Sequence, residues 1–395
     1  MRRNTIILLG LGLLLGLAGE TVPGVAGDEK KTMQPTANQT TLGLESFGLR
    51  VSVSQPRVIS QAKSYHWFPN ALHRLNDGSL LVGLSLCADA MVGDLAEGYP
   101  QALLKSIDQG ANWFRVNVVR GGLYEAYPSW QLPDGTLLGM SNALMNYSGE
   151  AYFLEWRSRD GARTWDGPRQ VPVRVPEGAI VPYDEPGHRY AGLGVGGGGL
   201  LQMPNGDLLA EVDGQFRGDK GTRLCLFKYT EATGCWSYVS TIADSNVEGV
   251  PFNESDLLRL PDGSLLTVIR QDGGWPMYLY QSKSTDGGQT WSRPRPMAAC
   301  GVRPRLRRLS NGVVACSYGR VTEGPSLGDH IVFSVDGGET WTSPTIIYHA
   351  ASTGYTSMLE TSPNELLYVY DALAIGINEG ARNRIMAVTI QVEKK

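Results

Sequence analysis

The chain has 395 residues but only five histidines, five cysteines and eight phenylalanines. His66, His73, His188, His330 and His349 are scattered without metal-ligand spacing. Cys87, Cys225, Cys235, Cys300 and Cys316 match no zinc pattern, and an odd number leaves one thiol unpaired in any scheme. No basic block is present and the net charge is −4, so the electrostatic footprint of a nucleic-acid-binding protein is missing. The glycine run from Gly194 to Gly199 lacks the Lys-Ser/Thr ending and the following helix of a phosphate loop. Neither a metal nor an organic cofactor is implied.

Long hydrophobic runs are also absent, with one exception. Arg2 and Arg3 precede an apolar stretch from Thr5 to Ala18, followed by the small residues Gly24-Val25-Ala26. At about 14 residues the stretch falls short of the roughly 20 that span a bilayer. It has the layout of a secretory signal. We read residues 1–27 as that signal, 28–42 as a polar linker and 43–395 as the folded domain. The expectation is a secreted or periplasmic monomer with no stable membrane insertion after cleavage. Export permits disulfides. Cys225 with Cys235, and Cys300 with Cys316, flank turn-like stretches that suit either cross-strand bridges or small buried hydrophobes.

What is abundant is glycine (49), tyrosine (17) and tryptophan (9), in a chain that is 42% hydrophobic. That balance favours many short strands joined by tight turns. Leu75-Asn76-Asp77-Gly78 is repeated as Leu132-Pro133-Asp134-Gly135, Met203-Pro204-Asn205-Gly206, Leu260-Pro261-Asp262-Gly263 and Leu309-Ser310-Asn311-Gly312. A degenerate sixth copy is Ser362-Pro363-Asn364-Glu365. Asp-Gly or Asn-Gly between apolar runs is a strong hairpin signal, because these residues accept positive φ. The copies lie 57, 71, 57, 49 and 53 residues apart, enough for one small antiparallel sheet each.

A second element has Ser-x-Asp, a glycine one or two residues later, and Trp five residues after the Asp. It occurs at Ser106 to Trp113, Ser158 to Trp165, Ser284 to Trp291 and Ser334 to Trp341. The Asp suits a tight turn as an acceptor of backbone N–H groups, and the Trp packs beneath it. These elements are similar to the Asp boxes of sialidase-type propellers, and residues 43–395 resemble that superfamily. The resemblance implies an all-β, six-bladed propeller of four-stranded antiparallel blades. Arg384 to Val392 or Leu49 to Ser54 would close the ring with a strand from the other terminus.

Asp boxes say little about function, since enzymes, receptors and binding proteins all carry them. The chemistry must come from other positions. Gly354-Tyr355-Thr356-Ser357-Met358-Leu359, followed by Leu367-Tyr368-Val369-Tyr370-Asp371, is similar to the sialidase segment whose Tyr is the nucleophile, and Tyr355 falls on that Tyr. Glu254, opening the fourth hairpin, and Arg270, ending its second strand, match the sialidase base and a carboxylate-binding arginine. A Tyr activated by a Glu spares an anionic sugar the repulsion of a carboxylate nucleophile. The resemblance puts the acid in the loop from Cys87 to Tyr99, where Asp94 fits best and Asp89 is second. One departure stands out. Where sialidases carry the first arginine of their clamp, this chain has Trp67-Phe68-Pro69, and Arg320 is the nearest candidate for the third.

Other residues have plainer readings. Trp67 and His66 form either a sugar-stacking platform or core and rim. Arg303, Arg305, Arg307 and Arg308 read mostly as a solvated face, with Arg303 or Arg305 able to reach the pocket. The irregular stretch from Tyr183 to Tyr190 suits an overhanging loop, with His188 or Arg189 as substitutes for the absent arginine. The expected function is retaining exo-hydrolysis of a terminal sialic acid or related acidic sugar from a glycan. The alternatives are another glycan-processing activity on the same scaffold, or a non-catalytic binding propeller.

Overall fold

The computed structural model describes residues 40–62, 67–86, 101–119, 127–140, 145–147, 150–176, 193–273, 277–320, 328–372 and 383–395. Apart from two short helical turns, Glu45–Phe47 and Ser245–Glu248, their regular structure is all strand. Each hairpin repeat seeds one sheet. Gly78, Gly135, Gly206, Gly263 and Gly312 all take φ between 81° and 90° at the turn. The sixth turn is the two-residue Pro363-Asn364, with Asn364 at φ 64°. The hairpin signal was therefore correct in all six places.

The sheets are six blades. Blade 1 has Trp67–Arg74, Leu80–Leu86, Gln101–Ser106 and Phe114–Val119. Blade 2 has Tyr127–Gln131, Leu137–Met140, Glu150–Ser158 and Asp166–Arg174, with Met145–Tyr147 added to its third strand. Blade 3 has Leu193–Gln202, Leu208–Gly214, Arg223–Thr230 and Cys235–Asp244. Blade 4 has Phe252–Arg259, Leu265–Gln271, Tyr278–Ser284 and Arg295–Cys300, and blade 5 has Val302–Arg308, Val314–Arg320, Gly328–Ser334 and Thr345–Tyr348. Blade 6 begins with Thr356–Ser362 and Glu365–Ala372, then the twelve-residue strand Asn383–Lys394. Arg57–Ala62 pairs with the first half of that strand and Leu49–Val53 with the second. These two N-terminal strands thus complete the C-terminal blade, with a third, Thr40–Leu44, paired outside Leu49–Val53, and the ring closes.

The first strand of every blade neighbours the first strands of the blades on either side. Second strands are covered on both faces and read as apolar runs, such as Leu265–Gln271, whose first five residues are buried. The core is the set of layers between blades, among them one joining Leu266, Val268, Leu306, Val314 and Tyr318.

The Ser-x-Asp turns lie at the end of the ring where the hairpins turn. In the blade 4 copy, Ser284 Oγ accepts from Gly288 N at 2.8 Å and donates to Asp286, which accepts Thr290 N at 2.9 Å. The other three copies repeat the pattern. Ala162 takes the glycine position of the second copy at φ 75°. Trp291 and Trp341 reach back to Ser240 and Gln281 of the preceding blades, so these turns fasten blade to blade.

No disulfide joins the suggested pairs: Cys225, Cys235, Cys300 and Cys316 are all thiols. Cys225 faces Thr241 across the ladder and Cys235 faces Thr230, so neither is placed to meet the other. They serve as small apolar side chains, and burial pushes the Cys225 thiol up to about 12. Among the described residues no helix is long and apolar enough to cross a membrane. Residues 1–39, which include the expected signal, lie outside the description.

Candidate active site

The first strands all start at one end of the channel, opposite the hairpin turns, and the second strands return to it. Residues early in a first strand or late in a second strand therefore converge at this mouth. Glu254 is the third residue of Phe252–Arg259, Tyr355 immediately precedes Thr356–Ser362, and Arg270 is next to last in Leu265–Gln271.

The Tyr355 hydroxyl donates to Glu254 Oε1 in a short hydrogen bond between blades 6 and 4. Arg270 Nη1 donates to the other carboxylate oxygen at 2.8 Å. The Arg303 backbone N–H donates to that same oxygen at 3.1 Å, and its guanidinium lies 3.5 Å from Oε1. Burial alone would raise the Glu254 pKa, but Arg270, Arg303 and the Tyr355 hydroxyl outweigh it and hold the group down to about 2. Tyr355 is pushed the other way, well above its ordinary value, by burial and by the Glu254 charge. At rest the proton therefore sits on the phenol and Glu254 is ionised. Tyr355, Glu254 and Arg270, expected together from the sequence, do meet.

Of the four arginines read mostly as a solvated face, Arg303 and Arg305, the two left able to reach the pocket, are buried. A bulge between Val302 and Arg305 breaks the alternation of the strand, with Arg303 in the left-handed region at φ 47°. That backbone turns Arg303 inward, its guanidinium 5.0 Å from the centre of the Tyr355 ring. Arg303 Nη2 reaches Asn70 Oδ1 at 3.4 Å, and Arg305 Nη2 donates to Asn70 O at 3.0 Å. Burial and the neighbouring Arg303 lower the Arg305 pKa to about 9. Arg307 instead bonds the Met358 carbonyl, and only Arg308 is exposed as expected.

Phe68 was not singled out, yet its ring packs 4.6 Å from that of Tyr355. It stands in the Trp67-Phe68-Pro69 segment, so an aromatic contact occupies the region where the resemblance calls for an arginine. The loop before Tyr355 is held by a buried acid: Asp371 accepts Thr353 N at 2.9 Å and Thr353 Oγ1 at 2.5 Å. Ser352 Oγ donates to Asp329 at 3.1 Å.

Several expected site residues lie outside the description. Asp94, Asp89, His66, His188 and Arg189 are among them. Trp67 opens the first strand of blade 1 and Arg320 ends the second strand of blade 5, but their side chains are likewise outside it. Among the described residues no group of three or more His, Cys, Asp or Glu is placed to hold a metal ion.

The fold is that of the β-propeller glycosidases. A protein of unknown function from Dyadobacter fermentans DSM 18053 superposes with a TM-score of 0.66 at 20% identity, over 87% of this chain and 99% of that one. The Hadza microbial sialidase Hz136 matches with a TM-score of 0.58 at 17% identity, over 84% of this chain and 66% of that one. The α-L-arabinofuranosidase Arb93A from Fusarium graminearum matches with a TM-score of 0.60 at 15% identity, over 85% and 98%. No protein-family model matches the chain. No curated protein matches it either.

Proposed function

We propose that this protein is an exported, exo-acting retaining glycoside hydrolase, with Tyr355 as nucleophile and Glu254 as its base. The observation that carries the reading is the hydrogen bond from the Tyr355 hydroxyl to an ionised, arginine-held Glu254 at the channel mouth. A neutral phenol meets an anionic sugar without repulsion, and Glu254 takes its proton as the bond to the anomeric carbon forms. The substrate is a terminal sialic acid or related acidic sugar. Arg270 and Arg320 bind its carboxylate and Trp67 stacks against the ring. The sialidase among the structural neighbours supports this choice.

A second reading is favoured by a specific observation: Arg270 and Arg303 both spend their charge on Glu254. With those cations committed, a neutral sugar fits the mouth better. The attacking group is then the Glu254 carboxylate, with Tyr355 steadying it. The arabinofuranosidase neighbour supports this variant.

The test is hydrolysis of 4-methylumbelliferyl α-sialoside and 4-nitrophenyl α-L-arabinofuranoside by the protein and by Tyr355→Phe. Sialoside turnover lost in the variant supports the first reading. Arabinoside turnover that survives at reduced rate supports the second, and no turnover of either sugar refutes the enzyme.

A further inference from the structure

Half of the first strand of blade 3, Leu193–Gln202, is glycine: Gly194, Gly196, Gly197, Gly198 and Gly199. In blades 1, 4 and 5 the corresponding strand brings Phe68, Asn70, Glu254 and Arg303 to the mouth. Where this strand is glycine, it puts no side chain over the second strand behind it. That second strand, Leu208–Gly214, carries two acids on one face, Glu211 and Asp213. Glu211 is buried between blades. Asp213, nearer the mouth, lies directly opposite Gly194 in the ladder and is partly exposed.

Asp213 feels the charges of Glu254 and Asp272 from blade 4 and of Arg303 from blade 5, and on its other side it neighbours the buried Cys225 thiol. Among the described residues no cation forms an ion pair with it, whereas Glu254 and Asp272 both have Arg270. Burial and the Glu254 charge raise its pKa to about 7, so below that pH a protonated Asp213 stands near an ionised Glu254. Two carboxyls pushed apart in this way are what an acid-assisted glycosidase needs.

We propose that Asp213, uncovered by the glycine strand, is the proton-carrying carboxyl of the site. It donates its proton to the glycosidic oxygen as the bond from that oxygen to the anomeric carbon breaks, and the aglycone leaves as an alcohol. The sugar is then bonded to the nucleophile. Water attacks the anomeric carbon, gives its proton to the Asp213 carboxylate, and the free sugar departs with the acid restored. The assignment rests on the glycosidase reading but not on which sugar is bound, and it gives Asp213 the role that the resemblance implies for Asp94.

The experiment compares methyl and 4-nitrophenyl glycosides of sialic acid and of α-L-arabinofuranose, using the whole protein, Asp213→Asn and Asp94→Asn. Nitrophenolate leaves without a proton and methanol does not. Asp213→Asn is expected to lose about 100-fold or more of kcat/KM on the methyl glycoside and only a few-fold on the nitrophenyl one. Azide is expected to raise its nitrophenyl rate by intercepting the glycosyl enzyme. Equal losses on both leaving groups would overturn the assignment, as would a leaving-group split that appears in Asp94→Asn instead. If Asp213→Asn does not fold, the wild-type protein decides. Its kcat/KM is expected to fall above pH about 7 for the methyl glycoside and not for the nitrophenyl one, and identical profiles would overturn the assignment. Failure of the wild-type protein on all four glycosides would refute the glycosidase reading itself, and Asp213 with it.

Discussion

Tyr355 and Glu254 are 101 residues apart in sequence and joined by one hydrogen bond. The hydroxyl comes from the loop entering blade 6 and the carboxylate from the first strand of blade 4. Phe68 from blade 1 and Arg303 from blade 5 close on the same phenol ring. Four blades therefore converge on one side chain, and its position depends on closure of the whole ring. Rigid, preorganised placement of this kind is what a reacting pair requires.

Arg303→Met is expected to move the acid limit of activity. Glu254 is ionised above its folded value of about 2, so the pair works above that pH and fails as pH falls through it. Removing one of the two cations that depress it raises the value toward the ordinary carboxylate range. The low-pH limb of kcat/KM should then rise by on the order of one unit. A limb that stays in place would mean that Glu254 is not the group titrating there.

Glu211 makes the fold sensitive to alkali. Burial pushes it up to about 8, against the pull of the Thr267 and Ser255 hydroxyls. An unfolded chain releases this proton near pH 4.5 and the folded one near 8, so between them the native state binds more protons and stability falls as pH rises. The slope from this group is at most about 1.4 kcal/mol per pH unit and flattens above 8. Thermal unfolding from pH 5 to 8 should show that decline in the native protein, lessened in Glu211→Gln. A slope unchanged by the substitution would contradict the assignment.

Thr353 positions the nucleophile through its backbone: Thr353 Oγ1 accepts from Tyr355 N at 3.3 Å. Thr353→Val removes one hydroxyl donor to the buried Asp371 carboxylate, which costs about 1–3 kcal/mol of stability. Because Tyr355 is two residues on, kcat should drop about tenfold or more while KM changes little. Thr353→Ser should restore both. Destabilisation with kcat unchanged would show that Asp371 merely holds the loop.

The repeats were legible because a hairpin turn and a Ser-x-Asp turn each need particular backbone angles and acceptors within a few residues. Gly78 and Ser284 announce their structures locally. Tyr355, Glu254 and Arg270 were found through resemblance, which carries long-range pairing that no local pattern contains. Arg303 stayed open between a solvated face and the pocket because a bulge, which local alternation does not show, sets its direction. Asp213 was not singled out because its exposure depends on what a different strand lacks. The glycine run at Gly194 was visible, but its consequence falls on a residue across the ladder. The cysteine pairs looked plausible by spacing alone, whereas the register sets Cys225 against Thr241.

The most direct test is to trap the covalent intermediate. Incubation with a fluorinated sialosyl fluoride, whose electron-poor ring slows the second step, should leave one sugar on the protein by intact mass. Peptide mapping should then place it on the fragment containing Tyr355, and Tyr355→Phe should remain unlabelled. A sugar mapped to Glu254, or no adduct on a folded protein that hydrolyses the parent sialoside, would contradict Tyr355 as the nucleophile.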